Sequence, residues 1–274
     1  MGIADIIPGV SGGTIALITG IYERLVQAIN GVNVFVVREI LRRRFKFAFR
    51  NIKKVDFPFL LPLLAGIVVS FLSLSHLLSF LLASYASPTY AFFFGLILSS
   101  AATVYRRIGK GNLGCIPFLV FGLIFGFWLV GLTSIYVSHS LPIIFLSGSL
   151  AICAMILPGI SGAFILLLLN QYRYMIDALH NLLFDRIFLF VAGALVGILS
   201  FARLLEILLN RWRKKTLSFL VGLMVGSLRA PLQNVISCKE SMIVPLISGL
   251  MGVALIVLLE LLSSKFFQSQ DNVS

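Results

Sequence analysis

Apolar runs close to bilayer length recur along the chain, at 57–75, 88–104, 113–132, 141–169, 187–202 and 241–262. About 20 such residues are what an α-helix needs to cross a hydrocarbon core. In lipid every backbone polar group must be satisfied by protein, so runs of this kind fold as helices. The charge balance agrees. Only 12% of side chains are charged and 59% are hydrophobic, where a soluble domain carries about 25% charged residues. A mean hydropathy of +1.05 excludes a soluble enzyme, a disordered tail and a secreted disulfide scaffold. The net charge of +12 sits mostly between apolar runs, which fits cytoplasmic loops and anionic lipid rather than nucleic acid. Cys115, Cys153 and Cys238 are odd in number and widely spaced, so neither a disulfide framework nor a metal site is expected, and no cofactor. Met1-Gly2-Ile3-Ala4-Asp5 lacks a basic start and Ile6 does not fit myristoylation, so no cleaved signal or lipid anchor is expected.

The chain also repeats itself. Pro8-Gly9-Val10-Ser11-Gly12-Gly13 returns 150 residues later as Pro158-Gly159-Ile160-Ser161-Gly162-Ala163, with Ala4, Leu17, Tyr22 and Ala28 on Ala154, Leu167, Tyr172 and Ala178. A second register, offset by 127, sets Ala65-Gly66 on Ala192-Gly193, Thr89 on Thr216, Gly95 on Gly222 and Gly122 on Gly249. The shift of 23 residues matches the basic segment 33–55, which the second half lacks. The expected architecture is an all-α integral membrane protein of two inverted-topology repeats, each a PGxSG broken-helix or re-entrant hairpin followed by three transmembrane helices. The first repeat is 1–132: hairpin 1–31, basic amphipathic segment 33–55, and spans 57–77, 88–105 and 113–132. The second is 141–263: hairpin 141–181 and spans 187–207, 216–231 and 241–262. Segment 33–55 suits an interfacial anchor.

Loop charges orient the halves. Connector 83–88 is uncharged, while its partner 210–215 carries Arg211, Arg213, Lys214 and Lys215. If basic loops are cytoplasmic, the halves run in opposite senses, the arrangement of secondary transporters with a midplane site. Only seven residues precede Pro8, against 17 in 141–157 before Pro158. A longer natural reading frame or a vestigial first arm is expected.

Pro8 and Pro158 disfavour helix at the residue before them, so arriving helices break there. Gly9 and Gly159 permit backbone angles closed to other residues. Ser11 and Ser161 then stand at N-cap positions of new helices. Free N–H groups at such starts favour anions, so Gly9, Ser11, Gly12, Gly13, Thr14, Gly159, Ser161 and Gly162 are the candidate phosphate-binding residues. The plain structural reading is a kinked, small-residue helix contact.

Gly9-Val10-Ser11-Gly12-Gly13 also matches G-x-S-x-G, which admits an intramembrane serine hydrolase. A serine nucleophile needs a base within reach, and His76, His139 and His180 fall near expected membrane surfaces. The chain is therefore expected not to be an enzyme.

The stretch Met1 to Ala16, then Gly20-Ile21-Tyr22-Glu23, closely resembles the opening motif of the polyprenyl-phosphate transporter family, formerly domain of unknown function 368. Pro88-Thr89-Tyr90-Ala91-Phe92-Phe93-Phe94-Gly95-Leu96-Ile97 and Ile156-Leu157-Pro158-Gly159-Ile160-Ser161-Gly162 are similar to its other hallmark stretches. The resemblance covers essentially the whole chain, departing at the short first arm and at Ala163-Phe164 opposite Gly13-Thr14. It implies a multi-pass protein of the bacterial cytoplasmic membrane that returns undecaprenyl phosphate from the outer to the inner leaflet for cell-wall synthesis. A small-anion or proton-coupled carrier is the alternative transporter.

Ionisable residues inside the membrane are functional candidates by default. Arg229 and Arg173 are the candidate phosphate cations. Asp5, Glu23, Arg203 and Glu206 are candidates for coupling or gating, with Glu23 and Arg173, at one repeat position, expected to switch as an ion pair or anchor at the interface. Arg203 and Glu206, three apart, can pair locally. Asp5 is placed to contact a helix or a cation rather than the anion. Protons are the expected coupling ion, because each negative charge moved against 100 mV costs about 2.3 kcal/mol.

Overall fold

The computed structural model describes residues 1–6, 11–31, 56–109, 113–134, 137–237 and 242–271. Pro8, Gly9 and the basic segment 33–55 lie outside the described residues. The rest is helical: α1 Gly2–Ile6, α2 Gly12–Ile18, α3 Tyr22–Gly31, α4 Phe57–Ser84, α5 Ala86–Ile108, α6 Ile116–Val130, α7 Leu141–Ile156, α8 Gly162–Leu168, α9 Tyr172–His180, α10 Phe184–Ser227, α11 Arg229–Ser237 and α12 Ile243–Asp271. Three described helices, Ala86–Arg106, Phe184–Ser237 and Ile243–Leu261, are long and apolar enough to cross a membrane, and the bent α4 makes up to four. This is a multi-pass membrane protein. Against the expected spans, 113–132 becomes a 3-10 turn and the 15-residue α6, which at 1.5 Å per residue is about 22 Å long, short of a 30 Å core. Spans 187–207 and 216–231 merge into α10, which ends at Ser227.

α10 has 44 residues, about 66 Å if straight. It is not straight. Trp212 (φ −136°, ψ 46°) interrupts it, and the Thr216 hydroxyl donates to the carbonyls of Leu208 and Trp212, both at 3.1 Å. In a straight helix a carbonyl eight residues back is about 12 Å away, so the chain folds sharply there. Tyr85 (φ −139°, ψ 49°) marks the same fold between α4 and α5, and Thr89 donates to Leu81 at 3.5 Å and Tyr85 at 2.7 Å. Every residue of this motif is displaced by 127.

The hairpins recur as closely. α2 and α8 share both boundaries at offset 150. Each ends in a left-handed residue, Gly20 (φ 75°) and Asn170 (φ 54°). Behind these, Ile21 N–H bonds Ala16 O at 3.0 Å and Gln171 N–H bonds Leu166 O at 2.8 Å. Asparagine is among the few residues besides glycine that occupy this region readily, so two different side chains build one turn.

Packing crosses between halves. Gly95 on α5 lies against the Gly249 carbonyl of α12, and Gly222 on α10 lies against the Leu119 carbonyl of α6, with no room for a Cβ at either. Small residues permit this backbone approach in lipid, where dispersion and not the hydrophobic effect holds helices together. α5 and the second part of α10 form the core: Ile97, Leu220, Leu223 and Met224 are fully buried. Phe121 on α6, Phe188 on α10 and Leu250 on α12 are exposed, as lipid-facing surfaces are.

Candidate functional site

The two breaks meet. The hydroxyl of Ser11 donates to Leu157 O at 3.0 Å, just past the end of α7. The N–H of Gly159 donates to Thr14 Oγ1 at 3.0 Å. Gly159 has φ 89°, and a Cβ there would lie 2.6 Å from Ser227 Oγ and 3.0 Å from Met224 Cα, so both conformation and space demand glycine. Ser11, Thr14 and Pro158 are fully buried at this junction. The two motifs, 150 residues apart in sequence, thus form a single polar seam.

The breaks are finished differently. At α2, Ser11 accepts from Gly13 N–H at 3.1 Å and Asp5 Oδ1 accepts from Gly12 N–H at 2.7 Å, so protein oxygens already occupy that helix start. At α8, Ser161 makes no side-chain cap. A cavity of about 270 Å³ opens beside it, lined by Asp5, Ser161, Gly162, Ala163, Met155 and Phe190 among others. Among the described residues Asp5 Oδ2 is buried without a hydrogen-bond partner. The second copy carries Met155 at the position of Asp5, so it has no carboxylate of its own to close its start.

The remaining candidates stand apart from the seam. Glu23 does not meet Arg173. Its Oε1 accepts from Arg213 Nε at 2.7 Å, while Arg173 is exposed on α9. Arg203 and Glu206 form no ion pair with each other among the described residues. Glu206 receives the Asn30 side-chain amide, tying α3 to α10, and Arg203 is exposed. Arg229 donates to Phe127 O at 3.2 Å and lies over the Phe127 ring. Arg213 and Asn30 were not marked by the sequence. Their partners are 190 and 176 residues away, beyond any local pattern. A smaller cavity of about 190 Å³, lined by Tyr22, Glu23, Arg213 and Lys214, adjoins the first of these pairs. Ser11 bonds only backbone groups among the described residues, and His139 sits instead against Gln171 and Tyr174.

Comparison with known proteins places the chain in a family. A model of the VCA0040-like family, described as undecaprenyl phosphate translocase-like, matches residues 1–243. The chain belongs to that family. It is 41% identical over 228 residues to a polyprenyl-phosphate transporter of Vibrio cholerae, covering 83% of this chain and 73% of the relative. A Staphylococcus aureus polyprenyl-phosphate transporter is 29% identical over 255 residues, covering 84% of this chain and 82% of that one. No solved structure matches. Within the family, Asp5, Ser11, Thr14, Gly159 and Ser161 are the residues of this member that converge.

Proposed function

We propose that this chain translocates a polyprenyl phosphate, undecaprenyl phosphate in particular, from the outer to the inner leaflet of the bacterial cytoplasmic membrane, returning carrier lipid to cell-wall synthesis. The observation that carries the reading is the seam itself. Two broken helices meet at Ser11, Leu157, Thr14 and Gly159, and an adjoining cavity holds Ser161 and Gly162. Backbone broken inside a membrane is tolerated where it lines such a cavity. The phosphate sits at the open second break, at Ser161 and Gly162, beside the seam that Thr14 and Gly159 close. Arg229 and Arg173 meet the headgroup at the membrane surface rather than at the seam.

The halves have inverted topology. The recurrence of the Thr89 and Thr216 turns and the crossed glycine contacts support this, and the uncharged and basic connectors then face opposite sides of the membrane. Glu23 and Arg213 form a latch on the cytoplasmic side that bars the smaller cavity. Charge moved inward against a negative interior is compensated by a proton. Transport rather than hydrolysis is the reading, since the Ser11 hydroxyl is engaged by backbone groups and meets no base among the described residues.

The test is a liposome assay that reads leaflet accessibility of a headgroup-labelled polyprenyl phosphate. Purified protein should accelerate its exchange between leaflets at least tenfold over empty liposomes. Soluble phosphate in excess should compete weakly. Exchange at the empty-liposome rate refutes lipid translocation, and full inhibition by soluble phosphate identifies a small-anion carrier instead.

A further inference from the structure

Asp5 makes one hydrogen bond where a carboxylate accommodates several. Oδ1 is committed to Gly12 N–H, Oδ2 is buried without a partner among the described residues, and Asp5 is one of the residues lining the cavity that also holds Ser161 and Gly162. A bare carboxylate oxygen is poorly placed there, because burial of an unpaired charge is strongly unfavourable. Among the described residues, the other elements around it offer no compensating charge. α2 contributes Gly12, α7 contributes Gly148, Ala151, Ile152 and Met155, α8 contributes Ser161, Gly162, Ala163 and Leu166, and α10 contributes Phe190 and Ala194. The amino group of Met1, on the same short helix, is the one ionisable group with an electrostatic hold on Asp5 among the described residues. α4, packed against α1, presents Ile67 and Ser70 at that contact.

A phosphate in this cavity sharpens the conflict. Asp5 and Ser161 line the same cavity of about 270 Å³, so an anionic occupant lies beside the Asp5 carboxyl, where like charges repel. A proton on Oδ2 reverses the interaction. The carboxyl then donates to a phosphate oxygen, while Oδ1 keeps Gly12 and the start of α2 intact. From this geometry we infer that Asp5 is the proton-binding group of the transporter, and that a phosphate monoester enters the cavity only together with one proton on Asp5 Oδ2. The proton comes from water on the side of entry and leaves to water on the side of release, so one negative charge of the headgroup is carried in neutralised form. This rests on the placement of the phosphate at the second break. It places coupling at Asp5 rather than at Glu23, whose carboxylate is already engaged by Arg213.

The test uses the full chain in lipid nanodiscs, with farnesyl phosphate and its sulfate ester as probes. The sulfate does not titrate near neutrality, so any pH dependence of its binding belongs to the protein. Titration calorimetry in buffers of different ionisation enthalpy counts protons directly. The expected result is uptake of about one proton per sulfate ester bound once Asp5 is ionised, and affinity falling up to tenfold per pH unit there. Asp5→Asn keeps an acceptor for Gly12 and a donor toward the cavity, and should remove both the uptake and the slope. Zero protons taken up by the unmodified protein overturns the proposal, whether or not Asp5→Asn folds. An unchanged slope in a folded Asp5→Asn protein overturns it as well, as does a dependence on sodium at fixed pH in place of one on protons. If neither probe binds at any pH, it is the placement of the phosphate that fails.

Discussion

The two PGxSG breaks descend from one pattern and end as opposites. The first is closed: Asp5 holds Gly12 and Ser11 holds Gly13, so the start of α2 is saturated by protein oxygens. The second is open, with no side-chain cap on Ser161, a cavity beside Gly162, and Met155 where the first copy has Asp5. The two copies share a framework and differ at Asp5 against Met155, Gly13 against Ala163 and Thr14 against Phe164. The flanking corners diverge too. Arg24 pairs with Asp56 at 2.7 Å at the first. At the second, Arg186 donates to the Tyr174 hydroxyl at 3.1 Å while the His139 ring stacks on Tyr174.

The most decisive break of the comparison is sidedness. Ser84→Cys and Arg211→Cys occupy equivalent positions before the two sharp turns. In cells, a membrane-impermeant thiol reagent should label the first from outside and leave the second unlabelled until the membrane is opened. Labelling of both from one side rejects the inverted arrangement.

Next in size is Gly159→Val. A left-handed backbone costs a non-glycine residue about 1–2 kcal/mol, and overpacking against Ser227 and Met224 adds about 1–3 kcal/mol. Transport should be abolished and the thermal midpoint lowered. The repeat expects the same of Gly9→Val. A fully active, stable Gly159→Val protein contradicts the turn described here.

Serine substitutions then separate the open break from the closed one. Ser11→Ala removes a cap worth about 1 kcal/mol and a bond to Leu157 worth about 1 kcal/mol, so thermal unfolding should report a loss of roughly 2 kcal/mol. Ser161→Ala removes no cap, should stay within about 0.5 kcal/mol of the parent, and should instead weaken prenyl-phosphate binding. Equal stability losses would erase the distinction.

The surface pairs should move least. Glu23→Gln breaks an exposed pair worth about 0–1 kcal/mol, so a change in transport rate without a matching change in midpoint identifies a latch. The Arg24 guanidinium holds the Asp56 carboxyl below its usual range. A depressed folded-state value means the pair stabilises above the unfolded carboxylate's titration and the gain is lost as pH falls through the folded one. Asp56→Asn should therefore lower stability slightly at neutral pH, and its difference from the parent should vanish as pH falls through the folded carboxyl's titration.

Much of the fold was legible in the sequence because its signals are local or periodic. Apolar runs gave the helices, Pro158 and Gly159 gave a break, and the offset of 127 set Thr89 on Thr216, the residues that bond back across the two sharp turns. The all-helical membrane class and the family followed from the same stretches. The charged partners were not legible. The expected pairings of Glu23 with Arg173 and Arg203 with Glu206 relied on repeat position and helical spacing. The structure gives Glu23 to Arg213 and Glu206 to Asn30.

What the sequence determined by itself was where helices run and where they must break, because hydrophobic length and the steric limits of proline and glycine act within a few residues. Only the tertiary structure decided that Ser11 bonds Leu157, that Thr14 receives Gly159, and that Asp5 closes one helix start while lining the cavity beside the other. Those outcomes depend on which carbonyls and N–H groups are left unpaired once distant helices pack, and hydrogen bonds reach only about 3 Å.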